Sequence, residues 1–208
     1  MINFLDVIEY AGTFAFAISG IRLASLKQFD WFGAYVVGFV TAIGGGTIRD
    51  VLLGLTPFWM MNSSYLICTA VALFFAVVFE KDLMKFKNTF FLFDTIGLGL
   101  FVVVGFEKTI HHGFPYWVAI VMGTITGAAG GIMRDVLITQ IPLIFRKEIY
   151  AMACVIGGMV YWLCDLLKVD ITLAEILSAS SVIITRIIAV KFKICLPILK
   201  GSNNLDET

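Results

Sequence analysis

Seven stretches of nearly unbroken apolar residues run along the chain, at about 4–22, 32–54, 63–79, 90–107, 115–138, 149–167 and 171–190. Short polar breaks separate them, such as Lys27-Gln28-Phe29-Asp30 and Glu80-Lys81-Asp82. A helix rises 1.5 Å per residue, so about 20 residues cross a hydrocarbon core ~30 Å thick. Each stretch meets that measure, some only with generous ends, and none shows the alternation of a barrel strand. The pattern predicts an all-helical membrane protein with seven transmembrane helices.

Composition agrees and removes other classes. Apolar residues make up 60% of the chain and charged residues 14%, against roughly 25% charged in soluble domains. Fifteen basic and fifteen acidic residues cancel, leaving no basic field for nucleic acid. The bilayer is the expected partner. Cys68, Cys154, Cys164 and Cys195 follow no metal or redox spacing and read as small hydrophobes. No Walker A segment, metal-spaced histidines or nucleophile–base pair is present, so an enzyme is not expected, nor a cofactor beyond a permeating K+ or Na+. His111 and His112 are placed in a wet loop without a role. The N-terminus lacks the basic start of a cleaved leader, and Asp6 and Glu9 open the first run, which is expected to remain in the mature protein.

Basic residues orient the bundle. The 1–2, 3–4 and 5–6 loops and the tail carry Arg22, Lys27, Lys81, Lys85, Lys87, Arg146, Lys147, Lys191, Lys193 and Lys200, against Lys108 and Lys168 on the other side. This bias places the C-terminus in the cytoplasm and the N-terminus outside an inner (plasma) membrane. Labelling of a cysteine at Ser202 from the periplasmic side of intact cells would contradict it. Trp31, Trp59, Trp117 and Trp162 lie near span ends, as an aromatic belt does.

Offsetting the chain against itself by 85 residues aligns 9–57 with 94–142 at 15 identities in 49 positions. Gly12/Gly97, Phe16/Phe101, Gly20/Gly105, Gly38/Gly123, Thr41/Thr126, Arg49-Asp50/Arg134-Asp135 and Pro57/Pro142 all fall in register. Apolar composition alone does not align Arg-Asp, Gly-Gly and Pro together. Residues 1–85 and 86–170 therefore read as two three-helix repeats, and 171–208 as a seventh helix with its tail. Three spans being odd, the second copy enters from the opposite face. The architecture is an inverted repeat, three plus three plus one, whose functional path lies between the halves.

The middle span of each repeat carries the chemistry. Gly44-Gly45-Gly46-Thr47-Ile48-Arg49-Asp50 is echoed by Gly130-Gly131-Ile132-Met133-Arg134-Asp135. Small residues every fourth place (Gly38, Ala42, Gly46; Gly123, Gly127, Gly131) make a stripe along which two backbones can approach. The contiguous glycines, each costing about 1 kcal/mol against alanine, suggest a deliberate helix break that bares carbonyls to cations. Arg49, Asp50, Arg134 and Asp135 either snorkel at the membrane edge or pair inside. If inside, the expected pairs cross between repeats, Arg49 with Asp135 and Arg134 with Asp50. Glu9 and Asp94, also equivalent, read either as dipole-favouring acids or as acidic mouths of the path. Thr41, Thr126, Ser178 and Ser181, with Ser180 and Thr185, offer hydroxyls to a pore or to backbone carbonyls.

The glycine segments with Arg49-Asp50 and Pro57, repeated with Arg134-Asp135 and Pro142, resemble the prokaryotic trimeric intracellular cation (TRIC) channel family over nearly the whole chain. That resemblance implies a homotrimer with one potassium-conducting pore in each protomer. It also implies that helices 2 and 5 bend at Gly44–Gly46 and Gly130–Gly131 to line the pore, more weakly in the second copy, where Ala129 replaces the first glycine. The same duplicated module is also known as a glycine transporter, so a glycine or amino-acid carrier is the alternative.

Overall fold

The computed structural model describes residues 4–80, 88–146 and 149–196. Within them lie α1 (Phe4–Leu26), α2 (Trp31–Leu52), α3 (Phe58–Met61), α4 (Ser64–Val78), α5 (Thr89–His111), α6 (Tyr116–Leu137), α7 (Ala151–Leu166) and α8 (Ile171–Lys191). A 3-10 turn, Leu143–Phe145, precedes α7. All seven apolar stretches are helical. Five of the helices, α1, α2, α5, α6 and α8, are long and apolar enough to cross a membrane. The helices α4 and α7, of 15 and 16 residues, are only about 23 Å long. Lys81, Lys85, Lys87, Lys147 and Lys200 lie outside the described residues.

Local chemistry sets the helix ends. The Asp30 carboxylate accepts the Gly33 amide at 2.6 Å and starts α2, and Asp170 accepts the amides of Thr172 and Leu173 to start α8. Stops recur at the repeat spacing. Gln28 and Gly113 close α1 and α5 with φ of 60° and 80°, and Gly54 and Thr139 close α2 and α6 with φ of 73° and 54°. After each of the last two, the chain folds back so that the amides of Leu55 and Gln140 reach the carbonyls of Asp50 and Asp135.

Packing also repeats. The helix α1 lies against α2, α4 and α5, α6 against α2, α5 and α7, and α8 covers α5 and α7. The halves meet through reciprocal contacts. A Cβ at Gly12 would touch Phe101, and one at Gly97 would overlap Phe16. A Cβ at Gly45 would lie 2.0 Å from the Thr126 carbonyl oxygen, and one at Gly130 2.2 Å from that of Thr41. As residue numbers rise along one helix they fall along its partner, so α1 with α5 and α2 with α6 pack antiparallel.

Charge and apolarity are distributed inside out. Arg49, Arg134 and Arg186 are buried, whereas Trp31, Phe32 and Phe74 are at least 70% exposed. An apolar surface around a charged interior suits a hydrocarbon solvent. The protein is an all-helical membrane protein.

Candidate functional site

The glycine segments do not break their helices. Both α2 and α6 run without interruption through Gly44–Gly46 and Gly130–Gly131, which corrects the expected helix break. The glycines serve the crossing instead. A carbonyl of the opposite helix occupies the space a side chain at Gly45 or Gly130 would need, while Gly46 admits the Phe58 ring and Gly131 the Tyr150 hydroxyl. The close approach offsets their poor helix propensity.

The Arg-Asp pairs follow a turn after the crossing. Arg49 donates through Nε and Nη2 to Asp50 Oδ1 at 2.8 and 2.7 Å. The other Asp50 oxygen accepts the Phe58 amide, eight residues on and just past Pro57. The second copy repeats the geometry, with Arg134 Nε on Asp135 Oδ1 at 2.9 Å and the Leu143 amide on Asp135 Oδ2. Each aspartate thus neutralises its neighbouring arginine and ties down the loop after the helix.

Two expectations are overturned. Neither arginine snorkels, since both are 0% exposed. Nor do the pairs cross between repeats. In the antiparallel register that sets Gly45 against Thr126, Arg49 comes opposite residue 122, about 20 Å along the helix from Asp135.

The copies then diverge. Arg134 Nη1 also donates to Asp94 Oδ1 at 2.5 Å and to Ser19 Oγ at 2.7 Å, and its guanidinium stacks 4.7 Å from the Phe90 ring. Position 104, the repeat equivalent of Ser19, is Val104, which carries no hydroxyl, and among the described residues Arg49 Nη1 has no hydrogen-bond partner. Glu9 turns elsewhere. Its carboxylate accepts from Tyr65 Oη at 3.0 Å and from Lys108 Nζ at 2.7 Å, joining α1 to α5 and hence one repeat to the other. Leu23, the equivalent of Lys108, cannot do the same for Asp94.

Glu9 and Asp94 are 4% and 0% exposed, so neither is the open acidic mouth considered for it. Each carboxylate has a cation and a hydroxyl-bearing residue close by, which makes burial affordable.

The hydroxyls expected near a pore are spent on backbone. Thr41 and Thr126 donate to the carbonyls of Val37 and Met122, Thr47 to that of Ile43, Ser178 to that of Gly157 and Ser181 to that of Ser178. Thr47 also accepts from the Trp59 indole at 3.0 Å.

A cavity of 580 Å³ opens above the first centre, lined among others by Asp50, Phe58, Glu107, Lys108, His111 and Glu175. Lys108 in its lining stands 5.3 Å from the Phe58 ring centroid and pairs with Glu9. Sequence reasoning missed Lys108, Ser19 and the pair Tyr65/Tyr150. Carrying the 85-residue offset past Pro57 reaches the two tyrosines. Lys108 and Ser19 have no equivalents, so no repeat signal marks them.

The profile of the family described as glycine transporter matches residues 6–81 and again 91–165. The UPF0126 membrane protein of Vibrio cholerae is 37% identical over 94% of this chain and 82% of its own length. The UPF0126 inner membrane protein YadS of Escherichia coli K12 is 36% identical over 95% of both. A structure described as showing the basis for conductance through TRIC cation channels superposes with a TM-score of 0.85, at 35% identity over 96% of this chain and 99% of that one. The TRIC orthologue from Rhodobacter sphaeroides gives 0.86 at 31% identity, over 91% and 98%.

Proposed function

The chain belongs to the prokaryotic TRIC channel family, whose repeated module is described as a glycine transporter, and on that premise we propose that it is a potassium-conducting channel of the inner membrane. The carrying observation is the fit, at 35% identity and over nearly all of both chains, to a structure described by its conductance of cations. We place one path in each protomer of a homotrimer, between two inverted three-helix repeats (1–85 and 86–170) followed by a seventh span, with the C-terminus cytoplasmic. The path runs beside the crossing of α2 and α6, where Gly44–Gly46, Thr47, Gly130 and Gly131 hold the two backbones in contact. The two Arg-Asp centres flank that crossing.

The antiparallel crossing supports this arrangement, because two equivalent halves that can part along one seam give a path with two similar ends. The cavity above Lys108 supplies one mouth, lined by Glu107 and Glu175 while Asp50 is held by Arg49, and an acidic rim attracts cations rather than anions. Lys108, paired with Glu9 across the seam, is the barrier between that mouth and the crossing.

Purified protein in planar bilayers should carry a potassium current and show no saturable glycine uptake in vesicles. The reverse pair of results would select the carrier. Lys108→Met removes the cation at the barrier and leaves Glu9 facing the path. The expected result is a larger potassium current, by about threefold or more at low ionic strength, where an unscreened carboxylate counts most. An unchanged or smaller current would remove Lys108 from the barrier.

A further inference from the structure

We propose that the second repeat holds one resident water molecule between Asp94 Oδ2, Tyr150 Oη and Arg134 Nη2, where the first repeat closes the tyrosine–carboxylate contact directly. Among the described residues none of these three atoms has a hydrogen-bond partner, and their residues are 0%, 1% and 0% exposed. Buried polar atoms are seldom left unsatisfied, and three converging on one spot is the number a buried water meets.

They do converge. A Cβ at Gly131 would lie 2.5 Å from Tyr150 Oη and 3.5 Å from Arg134 Nη2, so those two atoms lie within 6.0 Å of each other. Asp94 Oδ2 belongs to the carboxylate whose other oxygen already touches Arg134 Nη1. Two bonds of about 2.8 Å let one water bridge atoms up to about 5.6 Å apart, close to that upper limit.

The first repeat supplies the comparison. Glu9 and Tyr65 stand where Asp94 and Tyr150 stand in the second, and there the tyrosine hydroxyl meets the carboxylate directly, at 3.0 Å. Aspartate is one methylene shorter, and its free oxygen makes no such contact. One water replaces the missing reach. Its valence also fits, accepting from Arg134 Nη2 and donating to Asp94 Oδ2, with Tyr150 Oη free to donate or accept. A potassium ion fits poorly, because the guanidinium N–H would point at it. The inference does not depend on what the protein conducts.

The test is a structure of the full chain in lipid at about 2 Å or better, the range in which buried waters are placed by their hydrogen bonds. A single density peak within hydrogen-bonding distance of all three atoms is expected. Direct contact between Tyr150 Oη and Asp94 Oδ2, with no peak, would overturn the proposal. So would an anomalous signal at the site in rubidium-soaked crystals, which would identify a cation. In Asp94→Glu the longer carboxylate should reach Tyr150 as Glu9 reaches Tyr65 and the peak should vanish; its persistence there would count against the site as drawn. If that variant does not fold, the wild-type density decides.

Discussion

Gly45→Ala and Gly130→Ala are each expected to cost the folded protein most of its stability. Alanine is the better helix former by about 1 kcal/mol, so a view confined to the helix predicts stabilisation. The crossing reverses the sign. The new methyl carbon at Gly45 would lie 2.0 Å from the Thr126 carbonyl oxygen, and that at Gly130 2.2 Å from the Thr41 oxygen. Both obstacles are backbone, so relief requires α2 and α6 to move apart. Overpacking of side chains costs about 1–3 kcal/mol, and a backbone obstacle belongs at or beyond the upper end. Gly12→Ala is the control, because its methyl carbon would meet Phe101 and Leu100 at an ordinary 3.4 Å. Melting temperature in detergent and elution as a single species are the readouts. A Gly45→Ala protein as stable as Gly12→Ala would mean that the helices do not cross here.

Arg134→Ala should be the most damaging removal of a single charge. It strands Asp94 and Asp135, both within 1% of complete burial, and losing one partner of a buried ion pair costs about 3–5 kcal/mol. Arg134→Lys should rescue little, since one ammonium cannot reproduce a planar fork that bonds Asp94, Asp135 and Ser19 together. Arg49→Ala strands only Asp50, which keeps the Phe58 amide, and should cost less. A double-mutant cycle makes this quantitative. Arg134→Ala with Asp94→Asn should be less unstable than the sum of the single changes by more than about 0.5 kcal/mol, the scatter of independent sites. Arg49→Ala with Asp135→Asn should be additive. Coupling in the second cycle and none in the first would restore pairing between repeats.

The elements were legible because their signals are local or periodic. An apolar run long enough to cross a membrane must satisfy its own backbone, and a helix is the single-segment way to do so. Polar breaks separate the runs, and an 85-residue offset brings Arg-Asp, Gly-Gly and Pro into register without any coordinates. The duplication likewise marked Arg49, Asp50, Arg134, Asp135, Glu9 and Asp94 as a set, and the structure buries all six, joining Asp94 to the Arg134–Asp135 centre and Glu9 to Lys108 instead.

What the glycines do, and whom the charges meet, is different in kind. A run of glycines is compatible with a bend or with a close crossing, because both need a missing Cβ; the choice depends on what stands opposite. An arginine side chain is long enough to reach forward, back or across. Its partner is decided by the antiparallel register of α2 and α6, which carries Asp135 far from Arg49 and leaves Asp50 beside it. Lys108 and Ser19 come from helices with no repeat counterpart at those positions, and they make one half of a duplicated chain unlike the other. The chain's pattern dictates which segments become helices and which residues are doubled, since those follow from short-range backbone and solvent energetics. Partners across a helix seam follow from rotation and register, which only the packed bundle defines.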